Sequence, residues 1–231
     1  MNEHDEMRLS INQIRYPAGI VGCPGEYCAI QGQSFFAGGR GHTGKNLPYG
    51  GAMYLGHYFD KIDGFTQSVN RGREENLTWR KIREAVLNHL PEDRVWFTNY
   101  FMGVSLGSSN NGPLERTPGF STYEEDCWNF LNLQVALQRP SVIVALGKEV
   151  VCALGVPNRL NIPSWVISKN VPFGSLRLTP HPVTFRHDGR EVQTRIIAAY
   201  HPSYGRAKAQ IAAIEEDSMF VASKLLRSSH N

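Results

Sequence analysis

Three short stretches of this 231-residue chain carry side chains able to hold a substrate and handle a proton. Gly56-His57-Tyr58-Phe59-Asp60 offers an imidazole, a phenol and a carboxylate. Asn99-Tyr100 offers an amide that donates and accepts at once. His201-Pro202-Ser203-Tyr204-Gly205-Arg206 offers a second imidazole, a hydroxyl and a guanidinium. A carboxylate orients water, and a neutral imidazole donates to an atom that gains negative charge. Each stretch follows an apolar run that reads as a strand. In a parallel sheet, functional groups gather beyond the carboxyl ends of the strands, so the three stretches are expected to meet in one site.

The elements that would position them follow from periodicity. Residues 52–56, 94–104 (around Val95-Trp96-Phe97), 141–147 and 194–200 are strand candidates, and Ser141 to Gly147 is apolar on both faces, as an interior parallel strand must be. Residues 175–178 form a further short strand candidate. Helices are predicted over 76–90, with Ile82, Val86, Leu87 and Leu90 at helical spacing, over 123–138, ended by Pro140, from 150 to 154, and over 207–226. Strands alternating with helices imply a three-layer α/β/α fold around a central, mostly parallel four-stranded sheet. That domain would span residues 51–231. Residues 1–50 read as an irregular, glycine-rich arm packed on it, with Arg40, His42 and Lys45 in its loop.

Composition narrows the class without choosing the function. Hydrophobic residues make up 41% and charged residues 19%, which excludes a disordered chain. No apolar run is long enough to span a membrane, and the start, Met1-Asn2-Glu3-His4-Asp5-Glu6, is the opposite of a secretory signal, so a cytoplasmic location is expected. The net charge of +3 is compatible with a polyanionic partner but does not select one. Cys23 and Cys28 are too widely spaced for a CxxC pair, and with Cys127 and Cys152 they read as thiols; no metal or other cofactor is expected.

One motif misleads. Gly39-Arg40-Gly41-His42-Thr43-Gly44-Lys45-Asn46 nearly matches a phosphate-binding loop, but Asn46 stands where the magnesium-binding hydroxyl belongs. Pro48, Gly50 and Gly51 follow, and no helix can open there to hold phosphates on its amides.

Beside these readings stands a resemblance. Ala199-Tyr200-His201-Pro202-Ser203-Tyr204-Gly205-Arg206 is similar to the His-Pro-Ser motif of the uracil-DNA glycosylase superfamily, and Phe97-Thr98-Asn99 resembles its strand ending in Asn. Glu125-x-Cys127-x-x-Phe130-Leu131 followed by Arg139-Pro140-Ser141-Val142-Ile143-Val144-Ala145-Leu146-Gly147 is similar to a helix and strand of its iron–sulfur families. The likeness runs in order over about residues 50 to 227. It implies an enzyme that flips a nucleotide out of DNA and hydrolyses its N-glycosidic bond, leaving positive charge on the sugar and negative charge on the base. His201 would donate to the pyrimidine oxygen as a neutral imidazole, and Asn99 would read the Watson–Crick edge. Phe65 or Tyr58 would stack on or restrict the base. Ser203, Tyr204 and Arg206 would hold the backbone or wedge into the vacated space.

The chain departs from the family at the first motif. His57 and Tyr58 follow Gly56 where relatives carry an acidic residue, so Asp60 is the candidate that positions water and stabilises the cation, with His57 as the alternative base. Gly103 replaces a cluster cysteine, so no iron–sulfur cluster is expected. The implied function is removal of uracil or a modified pyrimidine from DNA by a monomer, in repair or, given the altered motif, in antiviral defence against hypermodified phage bases. The alternative is a DNA-binding module that keeps the fold without the chemistry. An unrelated hydrolase finds no support, since no Gly-x-Ser-x-Gly elbow or zinc spacing is present.

Overall fold

A run apolar at every position is stable only where both its faces are covered, and the chain covers them on both sides of one sheet. The computed structural model describes residues 2–22, 47–58, 85–106, 118–166, 172–201 and 208–226. The strands are β1 (Ile20–Val21), β2 (Ala52–Tyr58), β3 (Val95–Phe101), β4 (Val104–Ser105), β5 (Val142–Leu146), β6 (His181–His187) and β7 (Arg190–Ala199). The helices are α1 (Glu3–Ile11), α2 (Phe120–Gln138), α3 (Lys148–Gly155) and α4 (Lys208–Phe220), which runs on as a π-helical segment, Val221–Leu226.

The central sheet has the order β3-β2-β5-β7-β6. The first four of these strands are parallel, and β6 closes the edge antiparallel to β7. Alternation along each strand builds two cores. Met53, Leu55, Ile143, Ala145, Ile196 and Ala198 join Cys127, Leu131 and Val135 of α2 and Val150, Val151 and Leu154 of α3. Their neighbours Ala52, Tyr54, Val142, Val144, Ile197 and Ala199 join Val86, Leu90 and Val221 on the other face. This is a three-layer α/β/α arrangement with a mostly parallel sheet.

Three expectations need correction. Among the described residues the sheet has five strands, not four, because residues 181–187 pair with β7 as a hairpin. Its turn, Asp188-Gly189, has positive φ at both positions (45° and 74°), the conformation a tight two-residue hairpin needs. The strand predicted at 175–178 is instead a 3-10 turn, Phe173–Leu176, followed by a single bridge from Arg177 to Ala198. Nor are the first fifty residues irregular throughout. Asn2 caps α1 by accepting from the Asp5 amide at 2.8 Å, Met7 and Ile11 enter the core, and Glu6 pairs with Arg190 at 3.1 Å.

The glycine-rich stretch with Arg40, His42 and Lys45 lies outside the described residues, as do Cys23 and Cys28 and most of the helix predicted from residue 76. No helix among the described residues is long and apolar enough to cross a membrane.

Candidate functional site

Four parallel strands end at one edge, and their register sets what meets there. Gly56 pairs with Asn99, Leu55 with Ala145, and Leu146 with Ala199. Beyond the ladder, the Gly147 amide donates to the Ala199 carbonyl at 2.9 Å, which ties the end of β5 to the end of β7. His57, Asn99 and His201, three residues singled out from the sequence, therefore share the carboxyl edge of the sheet.

Asn99 owes its place to the glycine beside it. A Cβ at position 56 would overlap Asn99 Oδ1, so the amide occupies space that any other residue would fill. Behind it, Tyr100 is fully buried and its hydroxyl accepts from Arg159 Nε at 3.1 Å, while Arg159 also pairs with Glu125 at 3.0 Å. This holds the end of β3 firm. Gly56→Ala is expected to turn the Asn99 amide away at little cost to the fold, about 1 kcal/mol, because the obstructing atom ends a short rotatable side chain. A melting midpoint within about 4 °C of the native value, with a displaced Asn99 amide signal in the NMR spectrum, checks this. A much larger fall would mean that Asn99 cannot move.

The two histidines form a second group with a residue the sequence reading missed, Glu149 in the first turn of α3. Gly147, with φ at 92°, precedes that helix, and the point where its Cβ would sit lies 3.1 Å from His201 Cβ and 3.4 Å from Glu149 Oε2. A side chain there would be strained and would press on His201. The absence of one lets the glutamate fold back toward His201.

Burial pushes the His57 imidazole down to about 4; the Glu149 carboxylate opposes this and His201 adds to it. Burial likewise lowers His201, again against the pull of Glu149. Both rings are thus neutral at pH 7, and each can donate at one nitrogen and accept at the other. His57 also packs edge-on against the Phe101 ring, 5.3 Å between centroids.

The signal for Glu149 was present in the chain. Polar residues mark the ends of three strands in the sequence, and the fourth strand, Val142 to Leu146, leads through Gly147-Lys148 to this glutamate. Asp60, Phe65, Ser203, Tyr204 and Arg206 lie outside the described residues, as does the side chain of Tyr58, whose backbone in β2 pairs with Phe101 of β3. His181, the other histidine that precedes a proline, stands at the start of β6 and packs edge-on to Trp165, a structural role.

Cys127 is a buried thiol. Its sulfur accepts from the Met102 amide at 3.4 Å, and burial raises it to about 12. Among the described residues no group of three or more His, Cys, Asp or Glu side chains is arranged to hold a metal ion.

The site offers two neutral imidazoles, a carboxylate acting on both, and an amide on the adjacent strand. Such a set can bind a polar, neutral heterocycle, donate to an oxygen that gains charge, and stabilise a cation nearby. No protein-family model and no curated protein matches the chain.

Proposed function

We propose that the chain is a DNA glycosylase that hydrolyses the N-glycosidic bond of uracil or a modified pyrimidine in DNA. The observation that carries this reading is the meeting of His57, His201 and the Glu149 carboxylate at the strand edge that also bears Asn99.

In this reading the target nucleotide leaves the duplex and Asn99 pairs with the edge of its base. The C1′–N bond breaks and its electron pair goes to the base, while a water oxygen bonds to C1′ and the water's proton goes to solvent or to the base. His201 donates to the base oxygen as negative charge builds there, and its neutrality suits it to donate without fully transferring the proton. Glu149 supplies negative charge opposite the sugar cation, a role shared with or taken over from Asp60. His57, in place of the family's acidic residue, is the second candidate to orient the water. Phe65 and Tyr58 bound the base, and Ser203, Tyr204 and Arg206 hold the backbone. The partner is DNA, bound by a monomer. The departure at His57-Tyr58 also favours a roomier pocket and a modified base, as in defence against phage.

The test is incubation with DNAs containing uracil, 5-substituted cytosines or glucosylated cytosines, followed by alkali. Scission at one of these bases supports the reading and names the substrate class. Binding without scission on all of them supports instead the module that binds DNA and lacks catalysis, the reading that Tyr58 at the acidic position favours.

A further inference from the structure

The residue before His201 is held from several sides. The Tyr200 amide lies just past the last paired residue of β7, and it donates to Asp217 Oδ2 at 3.2 Å. The Arg177 guanidinium sits over the Tyr200 ring, 4.5 Å from its centroid, and the Phe173 ring lies 5.6 Å away. Arg177 reaches Asp217 Oδ1 through Nε at 3.1 Å and through Nη2. Its Nη2 also meets the Ala213 carbonyl at 3.1 Å and Glu216 Oε2 at 3.2 Å. The Leu178 amide donates to the Ala198 carbonyl at 3.2 Å. The Asp217 side chain is 4% exposed and that of Arg177 15%, so the pair works out of water.

A buried ion pair is weak grounds for stability, because desolvation offsets most of its attraction. What it does well is fix geometry: Nε and Nη2 converge on Oδ1 and hold that oxygen, which leaves Oδ2 to accept from elsewhere. That second oxygen accepts from the backbone amide that leads into His201. Among the described residues the ladder between β5 and β7 ends at Ala199, and α4 supplies the partner of the Tyr200 amide.

We propose that Asp217, locked by Arg177, is the positioning residue of His201: it fixes the backbone that carries the imidazole at the strand edge beside Gly147 and Glu149. The consequence for turnover rests on the glycosylase reading; the placement of the ring does not.

The test uses the full chain carrying Asp217→Asn, which keeps the shape and one acceptor, and Arg177→Lys, which keeps the charge but loses the fork. Histidine-ring NMR of the free protein follows His201 against pH, hydrogen exchange follows the Tyr200 amide, and single-turnover assays follow base release. In a folded variant the His201 ring signals are expected to move, its titration to shift toward that of an ordinary histidine, and the Tyr200 amide to exchange faster. Base release at saturating DNA should fall about 10-fold or more with little change in affinity, the mark of misplacement rather than lost binding. If Asp217→Asn does not fold, Arg177→Lys reads the same signals. Unchanged His201 signals in either folded variant would overturn the proposal. Moved signals in a protein whose native form releases no base would uphold the positioning and remove the glycosylase reading.

Discussion

His201→Ala is expected to slow base release by about 10²–10³-fold, the usual cost of removing one preorganised donor from developing negative charge. Affinity for the same DNA should stay within about 3-fold, since backbone contacts dominate binding and the donor acts mainly in the transition state. Burial favours the neutral ring, which in the proposed reaction would stabilise the departing base by a hydrogen bond without needing a protonated form at pH 7. His201→Gln, which keeps a donor with altered reach, should fall between the native protein and the alanine variant. Single-turnover base release and fluorescence anisotropy on one DNA separate the two effects. Equal losses in rate and affinity would assign His201 to binding instead.

The second large effect concerns acid. The folded-state value of His57, about 4, lies below the ordinary 6.5, so the unfolded chain takes up this proton first as pH falls. Stability from the neutral ring is therefore complete above about pH 6.5, drains away down to about pH 4, and does not return below it. A displacement of this size corresponds to about 3 kcal/mol, a large share of a typical domain's stability. His201 acts in the same direction, and Glu149 opposes both by favouring the protonated rings. Denaturant unfolding at pH 7, 5.5 and 4.5 should show the loss in the native protein and a shallower one in His57→Gln. Parallel pH profiles for the two proteins would mean that His57 is not the group that titrates.

Much of the framework was legible because its signals are local. The fully apolar Val142 to Leu146 could only be an interior strand, and the polar residues at the carboxyl ends of β2, β3 and β7 had to gather at one edge once the strands were parallel. The fifth strand was legible too, in Asp188-Gly189 between the alternating Val183, Phe185 and Val192, Thr194, although no element is predicted from the sequence over residues 181–187. The helix α1 was obscured because its acidic first turn, Glu3, Asp5 and Glu6, looks like a solvated tail, while its buried side is only Met7 and Ile11. Other features depend on register or tertiary packing, which no local pattern encodes. These are the overlap that makes Gly56 necessary to Asn99, the return of Glu149 over Gly147, and the reach of Asp217 from α4 to the Tyr200 amide.

The most direct test of the account is to measure free base by mass spectrometry after incubating the native protein and His201→Ala with the same uracil-, 5-substituted-cytosine- or glucosylated-cytosine-containing DNA. Free base is expected from at least one DNA with the native protein, with a yield about 100-fold lower from the variant at equal time. Equal release from both proteins would contradict the role of His201. No release from any of these DNAs, alongside salt-sensitive binding, would contradict the glycosylase itself.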